Sequence, residues 1–169
     1  MNIDGLNAHS TVKAKDNMTT TIREKLTIRP LMSGDFDELV HLDSVLLGSE
    51  KRRAYWEKKF AVFRLRHPNL SMVATLDNKL VGYIMGNISG WEFGVSAGVG
   101  WVELMGVDPD LQRQGVAKVM IQELMHQFKE LKTETVFTMI VAHDTHIHDL
   151  FKSVGFTTGH MMQLEIDLK

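Results

Sequence analysis

Val107-Asp108-Pro109-Asp110-Leu111-Gln112-Arg113-Gln114-Gly115-Val116-Ala117-Lys118 is the stretch from which the rest of the chain can be ordered. An apolar strand runs into Pro109, crosses a short polar turn, and enters a helix that begins at Gly115. The first N–H groups of a helix have no partner inside it, and the helix dipole adds partial positive charge at that end. A glycine there lets a ligand approach the backbone closely. The layout is that of an anion site, and a nucleotide pyrophosphate is the guest it suits.

Upstream, Trp101 to Val107 reads as the strand that feeds this turn. Downstream, Gly115 to Leu131 reads as a helix with Val116, Val119, Met120, Leu124 and Phe128 on one face. Thr135 to Ala142 is a nearly continuous apolar run, as expected of a central strand covered on both faces. Asp144 is placed to cap a short helix whose buried side is Ile147, Leu150, Phe151 and Val154, with Gly155 as its stop signal. Gln163 to Leu168 alternates as a final strand.

Toward the N-terminus, Leu26 to Pro30 reads as a first strand. Ser33 heads a helix with Phe36, Leu39, Val40 and Leu47 as its apolar stripe. A second helix spans about Glu50 to Leu65, with Trp56, Phe60 and Phe63 inward. Its cations (Lys51, Arg52, Arg53, Lys58, Lys59, Arg64 and Arg66) form either a solvated face or a patch for an acidic partner. His67-Pro68-Asn69 ends it. Leu70 to Leu76 and Lys79 to Ile88 form a hairpin across Asp77-Asn78. Ser89 to Gly100 carries four glycines and reads as a mobile lid, a wide hairpin connection, or both. Residues 1–24 are polar and form an N-terminal extension, expected to pack on its own domain or on a neighbouring chain. Residues 25–169 form one domain.

Composition narrows the function classes. The chain has 169 residues, 44% of them hydrophobic and 24% charged, as in an ordinary globular domain with a sizeable core. A formal net charge of −2 gives no footprint for nucleic acid. No apolar run approaches the ~18 residues of a membrane helix, and the N-terminus has no apolar secretory core. With zero cysteines, disulfides, thiolate zinc sites and cysteine nucleophiles are excluded. A cytoplasmic location is the default expectation.

Glu103-Leu104-Met105-Gly106-Val107-Asp108-Pro109, followed by Gln112-x-x-Gly115-x-Ala117, resembles the acetyl-coenzyme A signature of GNAT-family N-acetyltransferases. Lys152-Ser153-Val154-Gly155-Phe156, closing a short helix, is similar to the family's second landmark. The order of elements from Leu26 to Leu168 also fits. The resemblance implies an α+β, three-layer α/β/α fold. Its central sheet would be mixed, mostly antiparallel, of six to seven strands, with helices on both faces.

It also implies acetyl transfer from acetyl-CoA, a co-substrate, to an amine of a small molecule or a protein. Backbone amides from Arg113 through Gln114, Gly115, Val116 and Ala117 to Lys118, after Gln112, would grip the pyrophosphate. Backbone groups of Met105 and Val107, with Gly106 between them, would bond the pantetheine like an added strand. An N–H near Met105 would stabilise the oxyanion. An ammonium must lose a proton before it attacks. Glu103 is the first candidate base, since it alternates with Trp101, Met105 and Val107. Burial in that company would raise its pKa. His143, at the end of the apolar run, is the second candidate. The chain departs from the pattern twice: Thr145 stands where the family has an asparagine that contacts coenzyme A, and Phe151 where it has a proton-donating tyrosine.

His143, Asp144, His146 and His148 invite a metal reading, but positions i and i+2 of a helix do not share a face, so no metal is expected. Trp91, Phe93, Trp101, Tyr55 and Trp56 are candidate walls for the acceptor, or else packing residues. The short segment Thr157 to Met162 suggests a trimmed sheet end and hence a homodimer. The alternative function is a non-catalytic acyl-CoA-binding sensor or docking domain.

Overall fold

The computed structural model describes residues 22–48, 52–89 and 98–168. The chain divides into two compact units, Met1–Met139 and Ile140–Lys169. In the first, β1 (Leu26–Pro30), β2 (Ser71–Leu76), β3 (Lys79–Ser89), β4 (Val99–Val107) and β5 (Val136–Thr138) form one sheet in that order. β1 to β4 are successively antiparallel, and β5 joins β4 in parallel. Asp77 and Asn78 join β2 to β3 with φ of 49° and 66°. Two successive positive φ values mark the turn whose twist suits a hairpin.

Successive residues of β3 face opposite sides of the sheet, and each side has its own helices. Tyr83 and Met85 belong to a core with Leu39, Val40 and Leu42 of α1 (Phe36–Leu47) and Trp56, Phe60 and Phe63 of α2 (Arg53–Arg66). Gly82 and Gly86 face the other way, onto α3 (Val116–Glu130). Side chains at Gly82, Gly86 and Gly100 would run into Met120, Leu124 and Phe128. The missing side chains let α3 lie close against the sheet. The three-layer arrangement is therefore present in this unit. α3 buries Val116, Met120, Ile121, Leu124 and Phe128.

α1 follows a tight turn, Ser33–Asp35, that Asp35 holds together. Its carboxylate accepts from both terminal nitrogens of Arg29 at 2.7 Å and from the Met32 amide at 2.7 Å. Burial pushes this carboxyl up, but the Arg29 bonds, the Met32 amide and the Arg29 charge outweigh it and hold Asp35 below the usual carboxylate range. Deeper in the core, Asp43 accepts from Trp56 Nε1 at 2.9 Å and from the Tyr83 hydroxyl at 2.6 Å. Arg52 adds a contact at 3.4 Å. A buried carboxylate persists because it is paired in this way.

Four expectations are corrected. The sheet has five strands among the described residues, not six to seven. The apolar run 135–142 is not a covered central strand. Only Val136–Thr138 pairs, at the sheet edge, and Met139 and Val141 are 72% and 58% exposed. Gln163 to Leu168 forms no strand, and its Leu164, Ile166 and Leu168 are exposed. Alternation becomes a strand only when a neighbouring edge supplies backbone partners. In α1, Leu47 is exposed rather than part of the buried stripe.

In the second unit, α4 (Thr145–Ser153) starts as expected, with Asp144 accepting from the Ile147 amide at 3.1 Å. Phe151 is its buried residue and meets Phe156 edge-on at 5.0 Å. Among the described residues, no helix is long and apolar enough to cross a membrane. Residues 1–21 lie outside the described residues, and so does the expectation for how they pack.

Candidate active site

Met85 pairs with Leu104 and Gly86 with Val102, so Glu103 is one residue too many for its partner strand. Such a bulge bends the strand and re-aims the residues beyond it. The effect is visible in two even-numbered glycines of β4. A side chain at Gly100 would strike Phe128 of α3, whereas one at Gly106 would strike Leu46 of α1 and Tyr83. The strand changes faces between them.

The bulge also takes Glu103 out of the apolar alternation. The expected burial is not found: Glu103 is exposed. It lines a cleft with Lys59, Val62, Phe63, Arg66, His67, Gly86 and Asn87, with a volume of about 80 Å³. Asn87 Oδ1 is buried there with no hydrogen-bond partner among the described residues. Burial, and then the Arg66 charge, pushes the His67 ring below the ordinary histidine value, so it stays neutral at neutral pH. Tyr55 lies within the electrostatic reach of Glu103. Its hydroxyl is pushed up first by burial and then by the Glu103 and Asp43 charges, against the opposing pull of Arg52.

On its other edge β4 is only half covered. β5 pairs with Gly100, Trp101 and Val102 alone. From Glu103 to Val107 no strand bonds that edge among the described residues. Met105 is half-buried, and Gly106 and Val107 are buried.

The turn after β4 is braced by its own side chains. Asp108 accepts from the Asp110 amide at 3.0 Å. Gln112 Nε2 donates to the Val107 carbonyl at 3.2 Å, and Gln114 Nε2 to the Asp110 carbonyl at 2.8 Å. The side chains of Gln112 and Gln114 therefore shape the turn. Arg113 and Gly115 both have positive φ, 61° and 88°, which aligns neighbouring amides as in an anion nest. The N-cap of α3 is Gly115, which has no side chain to accept from the first-turn amides. A Cβ on Gly115 would meet nothing within 4 Å among the described residues. Val116 is buried, and Ala117 and Lys118 are half-buried.

Glu103, Met105, Gly106, Val107 and 112–118 are thus parts of the first unit. His143, exposed, Thr145, the exposed first residue of α4, and Phe151 belong to the second. Of the candidate walls, Trp56 is fully buried core. Tyr55 is half-buried beneath the Arg52 guanidinium, 4.7 Å from its ring centroid. Trp101 is half-buried, 5.2 Å from Phe137. Trp91 and Phe93, with the expected lid, lie outside the described residues. The sequence alone places Lys59 and Arg66 only in a cationic face or a patch for an acidic partner, and it does not single out His67 or Asn87. A signal existed: Lys59, Phe63 and Arg66 recur at helical spacing on one face of α2.

A model of the acetyltransferase (GNAT) family matches residues 36–156. The chain belongs to that family and is an acyltransferase by membership. Three solved structures indicate the range of proteins that share its fold. Aminoglycoside N-acetyltransferase AAC(6')-Iy, in complex with CoA, is 17% identical with a TM-score of 0.68, covering 85% of this chain and 95% of its own. Aminoglycoside acetyltransferase meta-AAC0020, from an uncultured soil metagenomic sample, is 21% identical with a TM-score of 0.65, covering 88% and 99%. The ribosomal-protein-S18-alanine N-acetyltransferase from Escherichia coli is 20% identical with a TM-score of 0.61, covering 79% of each. No curated protein sequence matches the chain.

Proposed function

We propose that this chain transfers the acetyl group of acetyl-CoA to a primary amine by direct attack on the thioester, with Glu103 as the base. The observation that carries this reading is the bulge in β4. It presents Glu103 to a cleft on the α2 face just where the opposite edge of the strand loses its partner. One strand thereby faces the acceptor with a carboxylate and the donor with free backbone groups.

Acetyl-CoA supplies an acetyl group activated as a thioester. The amides at the start of α3 hold its pyrophosphate, with Lys118 adding a cation. The free edge around Met105 receives the pantetheine arm; the Val107 carbonyl already accepts from Gln112. Glu103 takes a proton from the acceptor ammonium, directly or through water. The freed amine forms an N–C bond with the carbonyl carbon as an N–H near Met105 supports the oxyanion. The C–S bond then breaks, and the extra proton still on the nitrogen passes through water to the thiolate, since Phe151 has none to give, while Glu103 returns its own proton to solvent. Solved structures of this fold in complex with CoA support the choice of donor.

The test is thiol release from acetyl-CoA across a panel of amines. Glu103→Gln is expected to lower kcat by roughly 10²–10⁴ with acetyl-CoA binding retained. An unchanged turnover and pH profile would remove Glu103 from the mechanism. Acetyl-CoA binding with no thiol release from any amine would leave a binding domain instead.

A further inference from the structure

We infer that the acceptor is a small zwitterion of amino-acid type, with a carboxylate beside the amine that is acetylated, and not a polycation. The inference rests on the transferase reading above and names the substrate class of the same cleft.

The cleft has two chemically distinct sides. α2 contributes Lys59 and Arg66, and the sheet contributes Glu103 and Asn87. Neither Lys59 nor Arg66 forms an ion pair among the described residues, whereas Arg53 on the same helix is engaged by Asp37 and Glu57. Among the described lining residues, two permanent cations, Lys59 and Arg66, face one carboxylate, Glu103. An amine alone would deepen that imbalance, and a polycation would be repelled by it. A carboxylate on the acceptor corrects it through charge-assisted hydrogen bonds to Lys59 and Arg66.

The other side asks for a donor. Asn87 pairs with Trp101 and Gly86 with Val102, so Asn87 lies diagonally across from Glu103. Its Oδ1 is a buried acceptor to which nothing donates among the described residues, a state that native structures seldom leave uncompensated. An acceptor's N–H groups can be shared between Asn87 Oδ1 and the Glu103 carboxylate. Val62 and Phe63 lie along the same wall and suit a short hydrocarbon stem. The volume, about 80 Å³, fits a small head group.

The experiment compares each of the common α-amino acids with its own α-amide, and with spermidine, using thiol release from acetyl-CoA and the wild-type protein. Acid and amide differ at one charged group. The amide's amine is the less basic and thus the more available, which works against the expected result. The expectation is a kcat/KM about tenfold or more higher for the preferred acid than for its amide, the scale of one charge-assisted contact. K59A and R66A should shrink that ratio through KM. In parallel, the melting temperature is followed with acid or amide added in the absence of acetyl-CoA.

Equal or better turnover of amides or spermidine overturns the inference and leaves the transferase reading intact. Stabilisation by acids over amides, with no thiol release from any amine, overturns the transferase reading and upholds carboxylate recognition by the cleft. Neither stabilisation nor turnover overturns both.

Discussion

The ring of Tyr83 occupies the space where Gly106 would carry a side chain: a Cβ there would lie 2.6 Å from Tyr83 Cε1 and 2.5 Å from Leu46 Cδ1. Both neighbours are held by packing, and Tyr83 is also tied to Asp43. Gly106→Ala should therefore cost about 1–3 kcal/mol, the usual range for overpacking. A denaturant melt reads this as a lower midpoint. Because Gly106 lies in the open segment of β4, affinity for coenzyme A should fall as well. An unaltered midpoint would mean that β4 yields freely.

Gly115→Ala isolates a different effect. Nothing stands near the added methyl, but the residue must adopt φ of 88°. The strain is about 1–2 kcal/mol, relieved by rotating the turn out of its amide-presenting shape. Coenzyme A binding by calorimetry should weaken by roughly tenfold, while the far-UV spectrum is unchanged. Undiminished binding would show that the turn does not depend on this torsion.

The Asp43 cluster predicts a loss of stability. Tyr83→Phe removes a donor from a buried carboxylate and should cost about 1–3 kcal/mol. Trp56→Phe removes the other aromatic donor and should cost a similar amount. The two changes share a partner, so the double variant should depart from additivity. Additive losses in a double-mutant cycle would mean that the bonds are independent.

Asp35 sets an acid limit. Its folded-state pKa is lowered, so its contribution is present above the unfolded value and is lost as pH falls through the folded one. Asp35→Asn should be less stable than wild type by about 1–2 kcal/mol near neutral pH, a gap that closes below about pH 4. Thermal melts across pH check this. A constant gap would assign the effect to packing rather than charge.

The motif turn, the hairpin at Asp77-Asn78 and the inward faces of α2 and α3 were legible in the sequence because each is a local pattern. The Asp43 cluster was not, since an aspartate within an amphipathic helix looks like surface until Trp56 and Tyr83 arrive from elsewhere. Glu103 is a candidate from its place in the strand's alternation, but the burial that alternation implies is absent, since Glu103 is exposed. Alternation assumes an unbroken pleat, and one extra residue in β4 reverses it. The runs at 135–142 and 163–168 misled for a related reason: apolar content marks what a segment can do, and pairing depends on a distant edge.

The contact between α3 and the glycines of the sheet has a consequence at long range. The amides at the start of α3 sit at a height fixed by Met120, Leu124 and Phe128 resting on Gly82, Gly86 and Gly100. Gly100 is fifteen positions from Gly115, yet a methyl there would meet Phe128 at 2.7 Å and jack the whole helix away from β4. In the proposed mechanism, donor affinity is thus adjustable from the back of the sheet, by substitutions that touch neither the anion turn nor the acetyl-bearing arm.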